Sequence, residues 1–241
     1  MSGLRFRETM GGQIAPQESS PIAGYDAPGA LAATLRAWVD IPDLKLFVDR
    51  SLPHRGRLDV DLDIPVLSAR RFAASEGQFE LFRAGDVPSG KRGYWMVYDA
   101  FLTDGDRVYQ MTGRKYLQPG WRLYRVWPDT TVLFVTLRDV THGGRVDVTS
   151  PAGDSEKTVV PADPVSAPDW LTAIDVDEPA ALRDYRRPKY LAGKIRITPA
   201  AFGGQLLSMR AVGVPWYRRP FTVARFQWFF AWSLVRIYVG G

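Results

Sequence analysis

The alternation of apolar and polar residues from Gly56 to Asp139 is the feature that most constrains how this chain folds. Successive residues of a strand point to opposite faces, so a two-residue period predicts a strand with one apolar and one polar face. In the clearest run, three aspartates at positions 59, 61 and 63 separate Leu58, Val60, Leu62 and Ile64. We interpret the carboxylates as the solvated outer face of an antiparallel sheet and not as a metal site.

Further strands follow at short intervals in the same region. Asp104-Gly105 stands between two alternating runs, which predicts a tight hairpin turn. The predicted strands are Gly77–Phe82, Gly93–Thr103, Arg107–Leu117 and Thr130–Arg138. We therefore expect a mainly β protein, either an antiparallel β-barrel or a two-sheet lipocalin-like (calycin-like) architecture, with two or three helices.

The N-terminal part adds two strands, Leu4–Met10 and the alternating run Leu31–Val39. Pro42 follows the second strand and predicts the start of a short helix over Asp43–Arg50, because proline is tolerated in a first helical turn.

The C-terminal part repeats this plan with a strand at Ile195–Thr198 and a helix at Pro199–Met209. We expect one domain over 1–241, and the repeated plan raises the hypothesis of two similar halves. Residues 143–188 are rich in Gly, Pro, Ser and acidic residues, which predicts a long loop, either a lid over a pocket or an insertion.

The last segment, Pro220–Val239, predicts an unusually apolar helix. A helical wheel places six residues on one apolar face, which we expect to be buried: Phe221, Ala224, Trp228, Ala231, Trp232 and Val235. The thin polar stripe contains two arginines and also Phe229, and the segment is too interrupted to span a bilayer. Three interpretations remain open: packing across the barrel mouth or its outer wall, a homodimer interface, or contact with a membrane surface.

Composition limits the function classes. The chain has no cysteine, which excludes disulfides and thiolate chemistry, and Met1–Met10 lacks the apolar core of a signal peptide, so we expect a cytoplasmic protein. The net charge is +5, but the arginines are dispersed among acids, so we expect no nucleic-acid partner. His54 and His142 are predicted in surface loops. No glycine-rich phosphate motif is present, and we expect no metal or other cofactor.

Polar side chains on the predicted strands are the candidates for a site. We predict Tyr98 and Glu80 as catalytic residues, because a phenol or carboxyl group in an apolar cavity can polarise a carbonyl group of a substrate. A small-molecule site is usually apolar with a few polar groups. The residues predicted to bind the substrate are Tyr94, Met96, Tyr109, Met111, Gln78, Trp127 and Phe134.

Several segments together carry a resemblance to a known family. They occur in one order along nearly the whole chain: Leu4–Gly11, Ser75–Phe82, Gly113–Tyr116, Trp127–Val135, Gly193–Phe202 and Ala224–Tyr238. In this order they resemble the β-rich C-terminal domain that follows the flavin domain in some cholesterol-oxidase-like GMC oxidoreductases. The resemblance implies a module associated with steroid or lipid-like molecules. We expect it here as a stand-alone chain without the flavin domain, and therefore without oxidase activity of its own.

Two functions are expected from these observations. The first is a cofactor-free cyclase that folds a flexible apolar substrate, polyketide-like or steroid/lipid-like, and promotes an intramolecular [4+2] cycloaddition of the Diels-Alder type. The second is a non-catalytic carrier or accessory protein for the same class of molecule. Both need an apolar pocket, and they differ in whether the ligand is chemically changed.

Overall fold

The computed structural model describes residues 2–120, 125–141 and 188–239 of the chain. Its centre is a closed antiparallel barrel in which each strand pairs with the next along the sequence. The eight strands are β1 (Gly3–Pro16), β2 (Leu31–Ile41), β3 (His54–Asp63), β4 (Phe72–Asp86), β5 (Arg92–Thr103), β6 (Val108–Leu117), β7 (Val132–Asp139) and β8 (Tyr190–Arg196). The predicted mainly β barrel architecture is confirmed.

Strand β1 closes the barrel because it pairs with β2 along one edge and with β8 along the other. The seam between β1 and β8 is unusually tight at Gly12 and Gly193. A Cβ atom at Gly12 would lie 2.1 Å from the carbonyl oxygen of Lys194, and one at Gly193 would lie 2.0 Å from that of Gln13. Only glycine permits this approach of two backbones. A short strand, β9 (Arg210–Val212), extends the sheet beside the start of β1.

The alternation of the sequence sorts residues between the interior and the outer face. In β5 the side chains of Met96, Tyr98 and Leu102 are buried inside. In β3 the apolar residues Leu58 and Leu62 are fully buried, and the aspartates between them lie on the outer face. The interpretation of these aspartates as an outer face is confirmed.

Five helices occur in the described residues, where two or three were expected, and three of them have six residues or fewer: α1 (Pro21–Asp26), α2 (Leu44–Phe47), α3 (Val126–Thr131), α4 (Pro199–Ser208) and α5 (Arg219–Val239). Helices α2 to α5 lie at the barrel end that holds the β2–β3, β4–β5 and β6–β7 connections, which we call the helical end. The opposite end, which we call the far end, contains the predicted Asp104-Gly105 turn.

Two predicted boundaries were wrong for local reasons. Helix α2 is shorter than the predicted Asp43–Arg50. It begins at Leu44, because the Asp43 carboxylate caps it by accepting hydrogen bonds from the backbone N–H groups of Lys45 and Leu46, and it ends at Phe47. Strand β7 begins at Val132 and not at Thr130. The hydroxyl group of Thr130 donates to the carbonyl oxygen of Val126, as i−4 threonine bonds do inside a helix, so this residue belongs to α3.

The C-terminal helix α5 packs across the barrel at the helical end, as the first of the three interpretations proposed. Its Phe226 and Phe229 rings lie 6.1 Å and 6.3 Å from the ring of Phe47 in α2. A β-bulge in β4 places Phe82 in the left-handed region, with φ of 57°, and its ring stacks 5.7 Å from that of Phe230.

The predicted buried face of α5 was the wrong one. Trp228 is 72% exposed and Phe221 is 76% exposed, whereas Phe229, which the helical wheel placed in the polar stripe, is buried. The helix is apolar on both faces, and the three-dimensional packing selects the phenylalanine face. His54 is also not a surface loop residue, since it opens β3 and its ring lies 5.0 Å from that of Phe229.

In the described part of the chain, no helix is long and apolar enough to cross a membrane. The predictions of a long loop at 143–188 and of a loop position for His142 fall almost entirely outside the described residues.

A matched pair of adjacent substitutions tests the orientation of α5. We expect Phe229→Ala to lower the free energy of unfolding by about 3–5 kcal/mol, because it removes a ring that packs in the core. We expect Trp228→Ala to change this free energy by less than about 0.5 kcal/mol, since its ring is exposed. Chemical denaturation of both variants measures the difference. Equal losses would show that this orientation of the helix is incorrect.

Candidate functional site

A cavity of about 530 Å³ lies at the helical end, between the barrel interior and helices α3, α4 and α5. This volume is within the usual range for small-molecule sites. Its barrel wall is formed by side chains of β1, β4, β5 and β6, and its opposite wall by the three helices. Most of the lining is apolar, with Phe6, Phe79 and Leu81 on the barrel side and Phe202 and Phe226 on the helical side.

A buried polar cluster forms one part of this lining. The Glu8 carboxylate accepts three hydrogen bonds: from the Tyr98 hydroxyl group at 2.9 Å, from the Lys115 ammonium group at 3.0 Å and from the Gln205 amide nitrogen at 2.7 Å. The side chain of Lys115 is 1% exposed and that of Glu8 is 6% exposed, so this is a buried ion pair. We call these four residues the Glu8 cluster.

The barrel brings the Glu8 cluster together from positions far apart in sequence. Glu8 points inward from β1, in phase with Phe6 and Met10. Tyr98 and Lys115 point inward from the neighbouring strands β5 and β6, in which Tyr98 pairs with Gly113. In a ring of eight strands β1 and β5 stand on opposite sides, so the hydrogen bond between Glu8 and Tyr98 crosses the barrel. The cluster therefore separates the cavity from the packed core behind it.

Burial sets the proton affinity of the phenol in the cluster. Loss of solvation, followed by the charge and the hydrogen bond of Glu8, raises the pKa of Tyr98 well above its ordinary value. The Lys115 nitrogen also lies 5.1 Å from the centre of the Tyr98 ring, within the range of a cation–π contact. Tyr98 therefore stays a neutral phenol that donates to Glu8.

Gln205 offers a free acceptor at the same place. Glu8 can only accept from it, so the amide nitrogen must face the carboxylate and the amide oxygen must point elsewhere. That oxygen is buried and has no hydrogen-bond partner among the described residues. The Lys115 ammonium group has three N–H donors, and its one acceptor in the described part of the chain is Glu8. The cavity wall thus presents one cationic donor and one neutral acceptor.

The structure brings together only part of the predicted site. Tyr98, Met96 and Trp127 line the cavity. Tyr109 and Met111 are buried inside the barrel but lie outside the cavity lining, and the Tyr109 hydroxyl group donates to the carbonyl oxygen of Pro188.

The remaining predicted site residues are also outside the cavity lining. Tyr94 packs against the edge of the core. Glu80 lies on the outer face, where its carboxylate is 3.5 Å from the guanidinium group of Arg55. Gln78 and Phe134 also point outward, and the Phe134 ring packs against that of Tyr116. Residues on the outer face cannot contact a ligand inside this cavity, so their predicted places in one pocket were wrong.

Sequence reasoning missed Glu8, Lys115 and Gln205. A signal for two of them was present. The period of two places Lys115 on the same face as Tyr109 and Met111, and Glu8 on the same face as Phe6 and Met10. A charged residue at the inward phase of a predicted strand is unusual, because Lys and Glu are almost never fully buried unless paired. Gln205 carried no comparable signal.

No protein-family model, curated protein or solved structure matches this chain. The resemblance to the C-terminal domain of cholesterol-oxidase-like enzymes remains a prediction.

The raised pKa of Tyr98 predicts a loss of stability in alkali. An unfolded tyrosine ionises near pH 10, whereas the folded protein holds this proton to higher pH, so the stabilisation is complete below about pH 10 and is lost above it. Burial also raises the pKa of Tyr109, to about 12, which adds to the effect. Thermal unfolding from about pH 8 to about pH 12 should show Tm falling more steeply in the wild type than in Tyr98→Phe. Parallel curves would contradict the assignment.

The buried ion pair predicts strong coupling between Glu8 and Lys115. We expect Glu8→Leu or Lys115→Met alone to lower the free energy of unfolding by about 3–5 kcal/mol, because each leaves the other charge buried without its partner. The double variant should lose much less than the sum of the two single losses. A double-mutant cycle by chemical denaturation measures the coupling, and additive losses would rule out a buried charged pair.

Proposed function

We propose that the cavity binds a flexible apolar small molecule that carries a carbonyl group, and promotes its cyclisation. The reaction class we propose is an intramolecular [4+2] cycloaddition of the Diels-Alder type, in natural-product biosynthesis. The observation that carries the proposal is the Glu8 cluster in the wall of an otherwise apolar cavity of about 530 Å³. An apolar wall at this position would cost less to bury, and buried charged groups in clefts occur preferentially at functional sites.

The cluster can polarise a substrate without a change of its own protonation. The Lys115 ammonium group would donate to the carbonyl oxygen of an activated alkene, which withdraws electron density from the alkene as the new bonds form. The free oxygen of Gln205 would accept from an adjacent N–H or O–H group of the same molecule. Glu8 holds both side chains by hydrogen bonds, so these groups are positioned before the substrate binds.

The apolar lining supports the second part of the reaction. A cycloaddition converts two π bonds into two σ bonds with no net transfer of protons or electrons, so a cavity can accelerate it by holding the reacting ends close together. The ring system formed by Phe6, Phe79 and Phe226 provides rigid walls for a folded chain, with the Phe6 and Phe226 ring centroids 5.8 Å apart.

A non-catalytic carrier is the second candidate, and the hydrogen bonding of the Glu8 carboxylate favours it, because this carboxylate is occupied by protein donors and is not free to act as a base. Glu8 already accepts three hydrogen bonds from protein groups. In this case the Glu8 cluster forms the barrel-side wall of the cavity and binds the polar group of a lipid, steroid or polyketide. The ligand is then released without chemical change.

The discriminating experiment compares the metabolites of the native host with those of a strain that lacks the gene. Accumulation of an uncyclised precursor, and its conversion by the purified protein, supports the cyclase. An unchanged metabolite profile together with an apolar molecule that co-purifies with the protein contradicts the cyclase and supports the carrier.

Substitutions locate the activity in the cavity. We expect Gln205→Leu to lower turnover or ligand affinity by about tenfold, because it removes the free acceptor from the cavity wall. Glu80→Gln, which changes a carboxylate on the outer face, is the matched control and should leave both unchanged. Thermal unfolding of each variant shows whether it is folded. Equal effects of the two substitutions would place the ligand somewhere other than this cavity.

A further inference from the structure

The outer face of α5 is an exposed apolar surface at the helical end of the barrel. It contains Phe221, Trp228, Trp232 and Val235, which recur at helical spacing, and we call it the outer stripe. The Trp228 and Trp232 rings stack with centroids 6.2 Å apart and an angle of 11° between their planes. Trp216 and Tyr217, immediately before the helix, are also exposed. A continuous exposed patch of this kind marks an interaction surface.

Within the segment that carries the outer stripe, the charged residues have one sign. Between residues 210 and 239 there are five arginines and no aspartate or glutamate. Arg225 and Arg236 lie one helical turn after Phe221 and Trp232, and both are exposed along one edge of the stripe. None of the five takes part in an ion pair among the described residues. The outer stripe therefore combines large aromatic rings with arginines that form no ion pair among the described residues.

We propose that the outer stripe of α5 binds the surface of a bilayer that contains anionic lipids. Tryptophan and tyrosine favour the boundary between hydrocarbon and headgroups, where one part of the ring is apolar and the other is wet. Arginines beside them reach the phosphates, and each basic residue near an anionic surface strengthens binding about fivefold. The helix then lies in the plane of the interface, with its phenylalanine face still in the barrel.

A second copy of the chain fits this surface less well. A symmetric dimer places the same patch of one subunit against that of the other. The arginines of the two helices would then approach each other with no acidic residue of the 210–239 segment to pair with them. An anionic bilayer supplies the missing negative charge.

The membrane position is consistent with the location of the cavity. Helix α5 forms a wall of the cavity with Phe226 and Phe230, and its opposite face is the outer stripe. An apolar ligand dissolved in the bilayer would therefore lie one helix away from the cavity. The binding of the outer stripe to lipid does not depend on what the cavity holds.

The test is flotation of the full chain with vesicles of phosphatidylcholine alone and of phosphatidylcholine with one-third phosphatidylglycerol. We expect the protein to float with the anionic vesicles and much less with the neutral ones. Raising the salt from 0.1 M to 1 M shortens the screening length from about 10 Å to about 3 Å and should release most of it. Absence of flotation with the anionic vesicles overturns the proposal.

Variants identify the surface responsible. We expect Trp228→Gln with Trp232→Gln to lower the partition coefficient about tenfold or more, because both rings leave the interface. Arg225→Gln with Arg236→Gln should lower it about 25-fold on anionic vesicles only. Val66→Gln is the matched control, since Val66 is an exposed apolar residue (68%) at the far end of the barrel. Equal binding by all three variants, or a dimer that dissociates in the tryptophan variant, contradicts the proposal.

Discussion

Closure of the barrel between β1 and its two neighbours is the constraint on which the rest of the structure depends. Once β1 is paired on both edges, each residue of the eight strands is either inside or outside, and a change of one position would reverse every side chain. Closure fixes Glu8 inside and opposite Tyr98, and it leaves the helical end as the place where α5 packs. The cavity results from these two effects, because the polar side chains divide the barrel interior and helix α5 covers it.

The Glu8 cluster places two charged groups in the barrel interior, which lowers the stability that this part of the core can provide. Two buried charges are seldom more stabilising than apolar side chains of the same volume, even when they are well paired. The barrel wall elsewhere shows what the alternative is, because Met111 and Leu102 fill comparable interior positions with apolar side chains. The main effect of the cluster is therefore to hold the side chains of Lys115 and Gln205 in fixed positions, and its contribution to stability is small.

Much of the fold could be predicted from the sequence, because the strands carry one-sided apolar patterns. The residues of the site were harder to predict than the fold. The segment 132–135 in β7 is apolar at every residue, so its period could not show that Phe134 points outward. In β4 the alternation did place Phe79 and Leu81 inside, and the prediction of Glu80 as a site residue gave more weight to its carboxyl group than to this pattern. Helix α5 is apolar on both faces, and only the shape of the barrel end determines which face is covered. Contacts between residues distant in sequence, such as that of Gln205 with Glu8, leave no local pattern.

The seam between β1 and β8 also has a consequence for how the chain reaches this structure. This seam joins the first and last strands of the barrel and pairs Gly11 with Arg196. Every other strand pair of the barrel joins two strands that are consecutive along the chain. Pairing across so long a stretch of chain pays the largest loop-closure entropy, so we expect this seam to form last and to set the rate of folding. Until then β1 and β8 each present an open hydrogen-bonding edge, and at high concentration the edge of a second molecule competes with the correct one. Gly12 and Gly193, which allow the two backbones to approach so closely, are thus the positions where a larger side chain would delay folding most.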